Sequence, residues 1–119
     1  MTGNMEMVYI CAPLRGDVQK NIEFARQKAQ EVFQQGKIPI CPHLMFPPIA
    51  DPDHPEQDQS AREMGLKLLE KCTQVNVYGR DLTDGMREEI RHAQKCGILV
   101  LNKQEKQKAT ENKKKKGRK

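Results

Sequence analysis

"QVNVYGRDLTDGMREEIRHAQKCGILVLN", residues 74–102, contains two short apolar runs separated by a segment with helical periodicity. The runs "QVNVYG" and "GILVLN" are rich in β-branched and aliphatic residues, which favours strands. Met86, Ile90 and Ala93 recur at intervals of four and three, which favours a helix between them. Two strands joined through a helix pair in parallel, with the helix packed against the sheet. The stretch therefore predicts an α/β fold.

The same alternation extends toward the N-terminus. A first strand is predicted at "MVYICA", and Asp17 and Gly36 mark the start and the end of the helix that follows. The second strand, "KIPIC", contains Pro39, which cannot donate to a sheet ladder and places this strand at an edge. Helical periodicity resumes from about Ser60. We therefore predict a Rossmann-like or flavodoxin-like parallel sheet of four to five strands, in the order 2-1-3-4, flanked by helices.

Residues 42–57, "PHLMFPPIADPDHPEQ", contain five of the seven prolines and no periodicity. We interpret this stretch as a long loop, and a loop of this length in a small domain is typical of a lid over a pocket. His43 lies in it, and because histidine titrates near neutral pH it is a candidate for contact with a leaving group. An ordinary loop histidine is the alternative.

The charge of the chain is divided unevenly. Of 21 Lys and Arg residues, nine lie in residues 103–119, against two of the 16 Asp and Glu residues. A segment of this composition has little to bury, so we predict one α/β domain at residues 1–102 and a disordered lysine-rich tail at residues 103–119. The tail serves solubility or, alternatively, makes weak contact with nucleic acid.

No apolar run is long enough to cross a membrane, and the N-terminus lacks a basic segment followed by an apolar one. We expect a cytoplasmic protein. The four cysteines have no C-x-x-C spacing, and Cys41 with His43 supplies only two ligands, so neither disulfides nor a metal site is predicted.

Two loops follow the carboxyl ends of the central strands, where ligands bind in such sheets. "APLRGD" places Arg15 and Gly16 at a helix start, where backbone N–H groups and a guanidinium suit a phosphate or another anion. A surface arginine in a turn is the alternative. The second loop, "GRDLTDG", carries Asp81 and Asp84 as loop or cap residues.

Glu89 lies on the apolar side of the last helix. At about 100° per residue from Met86, Ile90 falls at about +40° and Glu89 at about −60°. A carboxylate buried at the ligand rim costs several kcal/mol unless something holds it. Glu89 is therefore either a functional carboxylate or a boundary residue that reaches water.

"YICAPLRG", with Tyr9, and "TDGMREEIRHA", with Glu89, resemble the two signature loops of the nucleoside 2-deoxyribosyltransferase superfamily. That superfamily includes 2′-deoxynucleoside 5′-monophosphate N-glycosidases. The similarity covers most of residues 6–101 and is closest to small members of unassigned function.

The resemblance implies an N-glycosidase or pentosyltransferase that acts on a nucleoside or nucleotide. Glu89 is then the nucleophile on C1′, and Tyr9 orients it, as in retaining glycosidases. The predicted substrate-binding residues are Arg15, Gly16, Thr83, Asp84, Gly85 and, from the proline-rich loop, His43. No cofactor is expected, and the resemblance implies a homo-oligomer, either a dimer or a larger assembly.

Two positions differ from the family pattern. Pro13 replaces a small hydroxyl residue in the first loop, and a family aspartate falls at about Gly65, for which Asp58, Glu63 or Asp81 would substitute. These differences leave an alternative open, a non-catalytic nucleotide-binding protein for sensing or sequestration.

Overall fold

The computed structural model describes residues 5–103. The predicted tail therefore lies outside the described residues, apart from its first residue. The elements, in chain order, are β1 (Met7–Cys11), α1 (Val18–Gln34), β2 (Ile38–Ile40), α2 (Pro42–Met45), α3 (Pro55–Leu69), β3 (Gln74–Val77), α4 (Asp84–Lys95) and β4 (Leu99–Asn102).

The four strands form one sheet in the order β2-β1-β3-β4, and every neighbouring pair is parallel. The predicted order and the α/β class are confirmed. Pro39 lies in β2 opposite Val8 of β1, so the strand with the missing N–H donor is at the sheet edge.

Alternation along β1 divides its side chains between two cores. Val8 and Ile10 pack with the buried face of α1, whereas Tyr9 and Cys11 pack on the other face with residues of α3 and α4. Since successive strand residues point to opposite faces, the position of Tyr9 in β1 determines that its ring meets α4.

The proline-rich stretch is more helical than predicted. α2 begins at Pro42, and α3 begins at Pro55 rather than near Ser60. Proline is favoured in the first turn because its missing N–H would be unpaired there anyway. The His54 side chain accepts a hydrogen bond from the Gln57 backbone N–H at 3.3 Å and caps α3. The first turns of α3 are exposed and polar, so they lack apolar periodicity. The start of α3 predicted from the sequence was therefore too late.

The ends of the other long helices follow local chemistry. Asp17 caps α1 as predicted, accepting a hydrogen bond from Lys20, and Gly36 follows the helix with φ of 83°. Thr83, not Asp81 or Asp84, caps α4, because its hydroxyl accepts a hydrogen bond from the Met86 N–H at 3.1 Å. None of the helices between residues 5 and 103 is long and apolar enough to cross a membrane.

Candidate active site

Tyr9 of β1 and Glu89 of α4 meet between the sheet and the helix. The Tyr9 hydroxyl donates a hydrogen bond to Glu89 Oε2 at 2.7 Å, across 80 residues of sequence. Tyr9 is 0% exposed, and the Glu89 side chain is partly buried on the same side of α4 as Met86 and Ala93. Helical phase turns Glu89 toward the sheet, and strand alternation turns Tyr9 toward α4, so the two side chains converge.

The protonation of this pair is shaped mainly by burial. Burial raises the pKa of Glu89, while the hydrogen bond from Tyr9 and the nearby Cys11 thiol act in the opposite direction. The pKa of Tyr9 lies well above its usual value because of burial and the neighbouring carboxylate. Tyr9 therefore keeps its proton at neutral pH and acts as the donor.

Cys11 is a member of this site that the sequence interpretation missed. Its buried thiol lies two residues beyond Tyr9 on the same face of β1 and donates a weak hydrogen bond to the Met86 carbonyl oxygen at 3.9 Å. Burial, followed by the Glu89 charge, raises the pKa of Cys11, so it stays a thiol at neutral pH. The period of two in β1 could have identified it, because residues i and i+2 share a face of a strand.

A pocket opens above the Tyr9–Glu89 pair. Its far wall is the proline-rich stretch, which contributes the apolar residues Phe46, Pro47, Ala50 and Pro52. α3 supplies Gly65, where an added Cβ would lie 3.5 Å from the Tyr9 hydroxyl oxygen. The proline-rich stretch thus lines the pocket beside the pair, and its action as a lid stays a prediction.

His43 lies in the wall of this pocket and also lines the cavity at its mouth. Its Nε2 donates a hydrogen bond to the Ala12 carbonyl oxygen. Burial lowers the pKa of His43, so the ring is neutral at neutral pH, and with Nε2 protonated its Nδ1 is an acceptor. The contact of His43 with a substrate base stays a prediction.

The mouth of the pocket carries a network of paired charges. Arg15 Nη2 lies 2.9 Å from Asp58 Oδ2, and the Arg62 guanidinium lies 3.9 Å from Asp58 and 3.3 Å from Glu88 Oε1. Asp58, which the sequence offered as a substitute for the family aspartate, is thus shared by two arginines. Sequence patterns did not reveal this network, because Arg15 and Asp58 are 43 residues apart.

The remaining predicted residues occupy different places. Thr83, Asp84 and Gly85 line the cavity at the mouth with Arg15 and Glu89, and Gly85 also lines the deeper pocket. The Asp84 side chain is fully exposed and lies 3.6 Å from Arg87. Gly16, with φ of 101°, forms the turn before α1 and lines neither cavity. The roles of all these residues in substrate binding stay predictions.

The burial of Glu89 predicts an effect on stability. Because its pKa is raised on folding, the folded chain holds a proton that the unfolded chain has lost, so stability falls as the pH rises between the two pKa values. Glu89→Gln removes this pH-dependent loss of stability, because glutamine does not titrate. We expect it to raise the free energy of unfolding at neutral pH by about 1 kcal/mol, which corresponds to about 4–8 °C in Tm.

Thermal unfolding at a series of pH values measures this gain. It should shrink as the pH falls below the unfolded pKa, where wild-type Glu89 is protonated in both states. Glu63→Gln, at an exposed position of α3, is the matched control and should leave Tm almost unchanged. A gain that is the same at every pH would contradict the explanation from burial.

Two solved structures of known proteins are similar to this chain. A solved structure of a 2-deoxyribosyltransferase from the psychrotolerant bacterium Bacillus psychrosaccharolyticus has a TM-score of 0.65 at 14% identity, over 79% of this chain and 69% of that one. A 2-deoxyribosyltransferase from Leishmania mexicana has a TM-score of 0.60 at 14% identity, over 82% of this chain and 63% of that one. The fold is thus the 2-deoxyribosyltransferase fold that the sequence resemblance implied.

No curated protein matches the chain. A family model matches residues 6–103, which contain every helix and strand from β1 to β4. The chain belongs to the family described as Domain of unknown function (DUF7768).

Proposed function

We propose that the chain cleaves or transfers the N-glycosidic bond of a nucleoside, with Glu89 as the nucleophile. The observation that carries this proposal is the 2.7 Å hydrogen bond from the Tyr9 hydroxyl to a carboxylate at the base of a pocket. Its support from comparison is the fold, since the two solved relatives are described as 2-deoxyribosyltransferases.

In the proposed reaction the Glu89 carboxylate attacks C1′ while the bond from C1′ to the base nitrogen breaks, and the base leaves with the electron pair. The Tyr9 hydrogen bond orients the carboxylate and favours its ionised form. Water, or an N–H nitrogen of a second base, then attacks C1′ while the ester bond to Glu89 breaks. The attacking group loses its proton, which the departed base takes up, giving hydrolysis or transfer respectively. His43 Nδ1 is available as an acceptor for an N–H group of the base.

The mouth of the pocket favours a nucleoside over a 5′-nucleotide. The N-terminus of α1, an expected anion site, is capped by the carboxylate of Asp17. Arg15 is paired with Asp58, and Arg62 is shared between Asp58 and Glu88. A phosphate would have to displace Asp58 from Arg15 and would meet two further carboxylates. We therefore assign a nucleoside with a free 5′-hydroxyl as the substrate class.

Asp58→Asn tests this assignment. The change leaves Arg15 without its anionic partner, and a freed guanidinium binds phosphate through charge-assisted hydrogen bonds. We expect the ratio of kcat/KM for a deoxynucleoside 5′-monophosphate to that for the deoxynucleoside to rise about tenfold or more. Steady-state kinetics with both substrates measure it, and Asp53→Asn, in the exposed loop, is the matched control. A wild-type preference for the monophosphate would overturn the assignment.

The function as a whole is tested with the full chain and a panel of deoxynucleosides and ribonucleosides, alone and with a free acceptor base. Chromatography then detects a released base or an exchanged nucleoside. Release without an acceptor indicates a hydrolase, and product only in its presence indicates a transferase. No product from any member of the panel would contradict the proposal.

A nucleotide-binding protein without turnover is the second candidate. One observation favours it. The resemblance places a family aspartate at about Gly65, and Gly65 lies beside the Tyr9 hydroxyl without a carboxylate. Calorimetric binding of a nucleoside or nucleotide with no released base after prolonged incubation would favour this candidate over the enzyme.

A further inference from the structure

Three metal-ligating side chains meet at the end of α4 that lies away from the pocket. Glu70, His92 and Cys96 each offer one ligand atom, and these atoms all lie within 4.8 Å of one another. His92 Nε2 is 2.8 Å from Glu70 Oε2. Cys96 is seven residues beyond Glu89, about 10 Å along the helix axis. None of the three lines the pocket that holds Glu89.

The geometry of the group suits a small tetrahedral ion. His92 and Cys96 are four residues apart, so they share one face of α4, and Glu70 faces them from the end of α3. Zinc bonds of about 2.0–2.3 Å place neighbouring ligand atoms about 3.3–3.6 Å apart. The present separations, from 2.8 Å for His92 and Glu70 to at most 4.8 Å within the group, bracket these values.

The donor types narrow the identity of the ion. A thiolate, an imidazole and a carboxylate together favour zinc and similar transition metals, whereas calcium and magnesium select oxygen ligands alone. All four cysteines lie in the part of the chain that is described, and Cys96 is the one among them whose side chain is exposed. Its thiol is therefore accessible to an ion from solution.

The electrostatic field at this group of side chains also favours a cation. Glu70 caps the carboxyl end of α3 and Cys96 caps that of α4, so the partial negative charges of two helix ends converge on the group. The Glu70 carboxylate, which lies 2.8 Å from His92 Nε2, adds an anionic oxygen donor to the group. Lys67 lies 3.9 Å from Glu70 and opposes a cation, but its side chain is 80% exposed and is free to turn toward solvent.

We propose that Glu70, His92 and Cys96 bind a Zn²⁺ ion, with water as the fourth ligand. The ion replaces the proton of the Cys96 thiol, which is released, and the proton between His92 Nε2 and Glu70 moves to His92 Nδ1. The site joins α3 to α4. Asp58 lies in the first turn of α3, and the catalytic candidate Glu89 lies in the middle of α4. The bound ion therefore fixes the spacing of two walls of the pocket, whatever reaction the pocket supports.

Cobalt is the probe for this site, added to the full chain after treatment with a chelator. We expect a thiolate-to-cobalt charge-transfer band and the visible absorption of tetrahedral Co²⁺, both removed when Zn²⁺ is added in slight excess. Cys96→Ser should abolish the thiolate band. His92→Gln and Glu70→Gln should each weaken Co²⁺ binding on the order of 10–100-fold. His54→Gln, which changes an exposed histidine of the lid stretch, is the matched control and should bind Co²⁺ as the wild type does.

Thermal unfolding gives a second, independent readout. Zn²⁺ should raise the Tm of the wild type and of His54→Gln, because an ion that binds only the folded state stabilises it by mass action. It should leave Cys96→Ser unchanged. The proposal is wrong if the wild type shows no thiolate band, or if Cys96→Ser retains the wild-type band and affinity.

Discussion

Replacing Glu89 with glutamine should lower the rate of base release from a deoxynucleoside by about 10⁴-fold or more, as the loss of a nucleophile does in covalent catalysis. The amide keeps the size of the side chain and can still accept the hydrogen bond from Tyr9, but it cannot form the ester bond to C1′. The loss should fall on kcat, with KM changed little. Single-turnover assays of released base measure it.

The same experiment separates loss of chemistry from loss of fold. Glu89→Gln is expected to be at least as stable as the wild type at neutral pH, so an inactive protein with a raised Tm supports the assignment. Glu63→Gln is the control for activity as well, because the structure places Glu63 at an exposed position that lines neither cavity of the site. Mass spectrometry of the wild type stopped during turnover should find the sugar on the peptide that contains Glu89. Unchanged turnover by Glu89→Gln would exclude Glu89 as the nucleophile.

Tyr9→Phe should lower kcat/KM by about 10–100-fold, the cost of removing one hydrogen bond to a partly buried charge. It should also move the acid limb of the pH profile. Attack requires ionised Glu89, and activity therefore rises as the pH passes through its pKa. Since the Tyr9 hydrogen bond lowers that pKa, its loss raises the pKa further and moves the limb to higher pH. Profiles of kcat/KM against pH measure the shift.

Tyr78→Phe is the control for this experiment. Tyr78 is buried in the core on the other face of the sheet, where its hydroxyl accepts a hydrogen bond from Asn76 at 3.0 Å. Its replacement removes a buried hydroxyl without touching Glu89, so it should reduce stability and leave the position of the limb unchanged. An equal shift in both variants would show that Tyr9 acts only through packing.

The architecture was predictable because two local properties determine it. Alternating strands and helices fix a parallel sheet, and Pro39 fixes which strand lies at the edge. Helical phase likewise predicted that the Glu89 side chain lies on the apolar side of α4. Contacts between distant segments could not be predicted from the sequence. The sharing of Asp58 by Arg15 and Arg62 is one example. The early start of α3 was missed because His54 and Pro55 form its first turn without apolar periodicity.

Gly65 lines the pocket, so the size of the residue at this position affects which molecules the pocket can admit. A methyl group added there would lie 3.5 Å from the Tyr9 hydroxyl oxygen and 3.6 Å from Pro42 Cγ, both ordinary contacts. Alanine would also strengthen α3 by about 0.5–1 kcal/mol, because glycine weakens a helix interior. The chain thus forgoes some helix stability at this position and keeps the pocket wall beside the Tyr9 hydroxyl free of a side chain. Substitutions of increasing side-chain volume at position 65 would measure how large a ligand the pocket accepts.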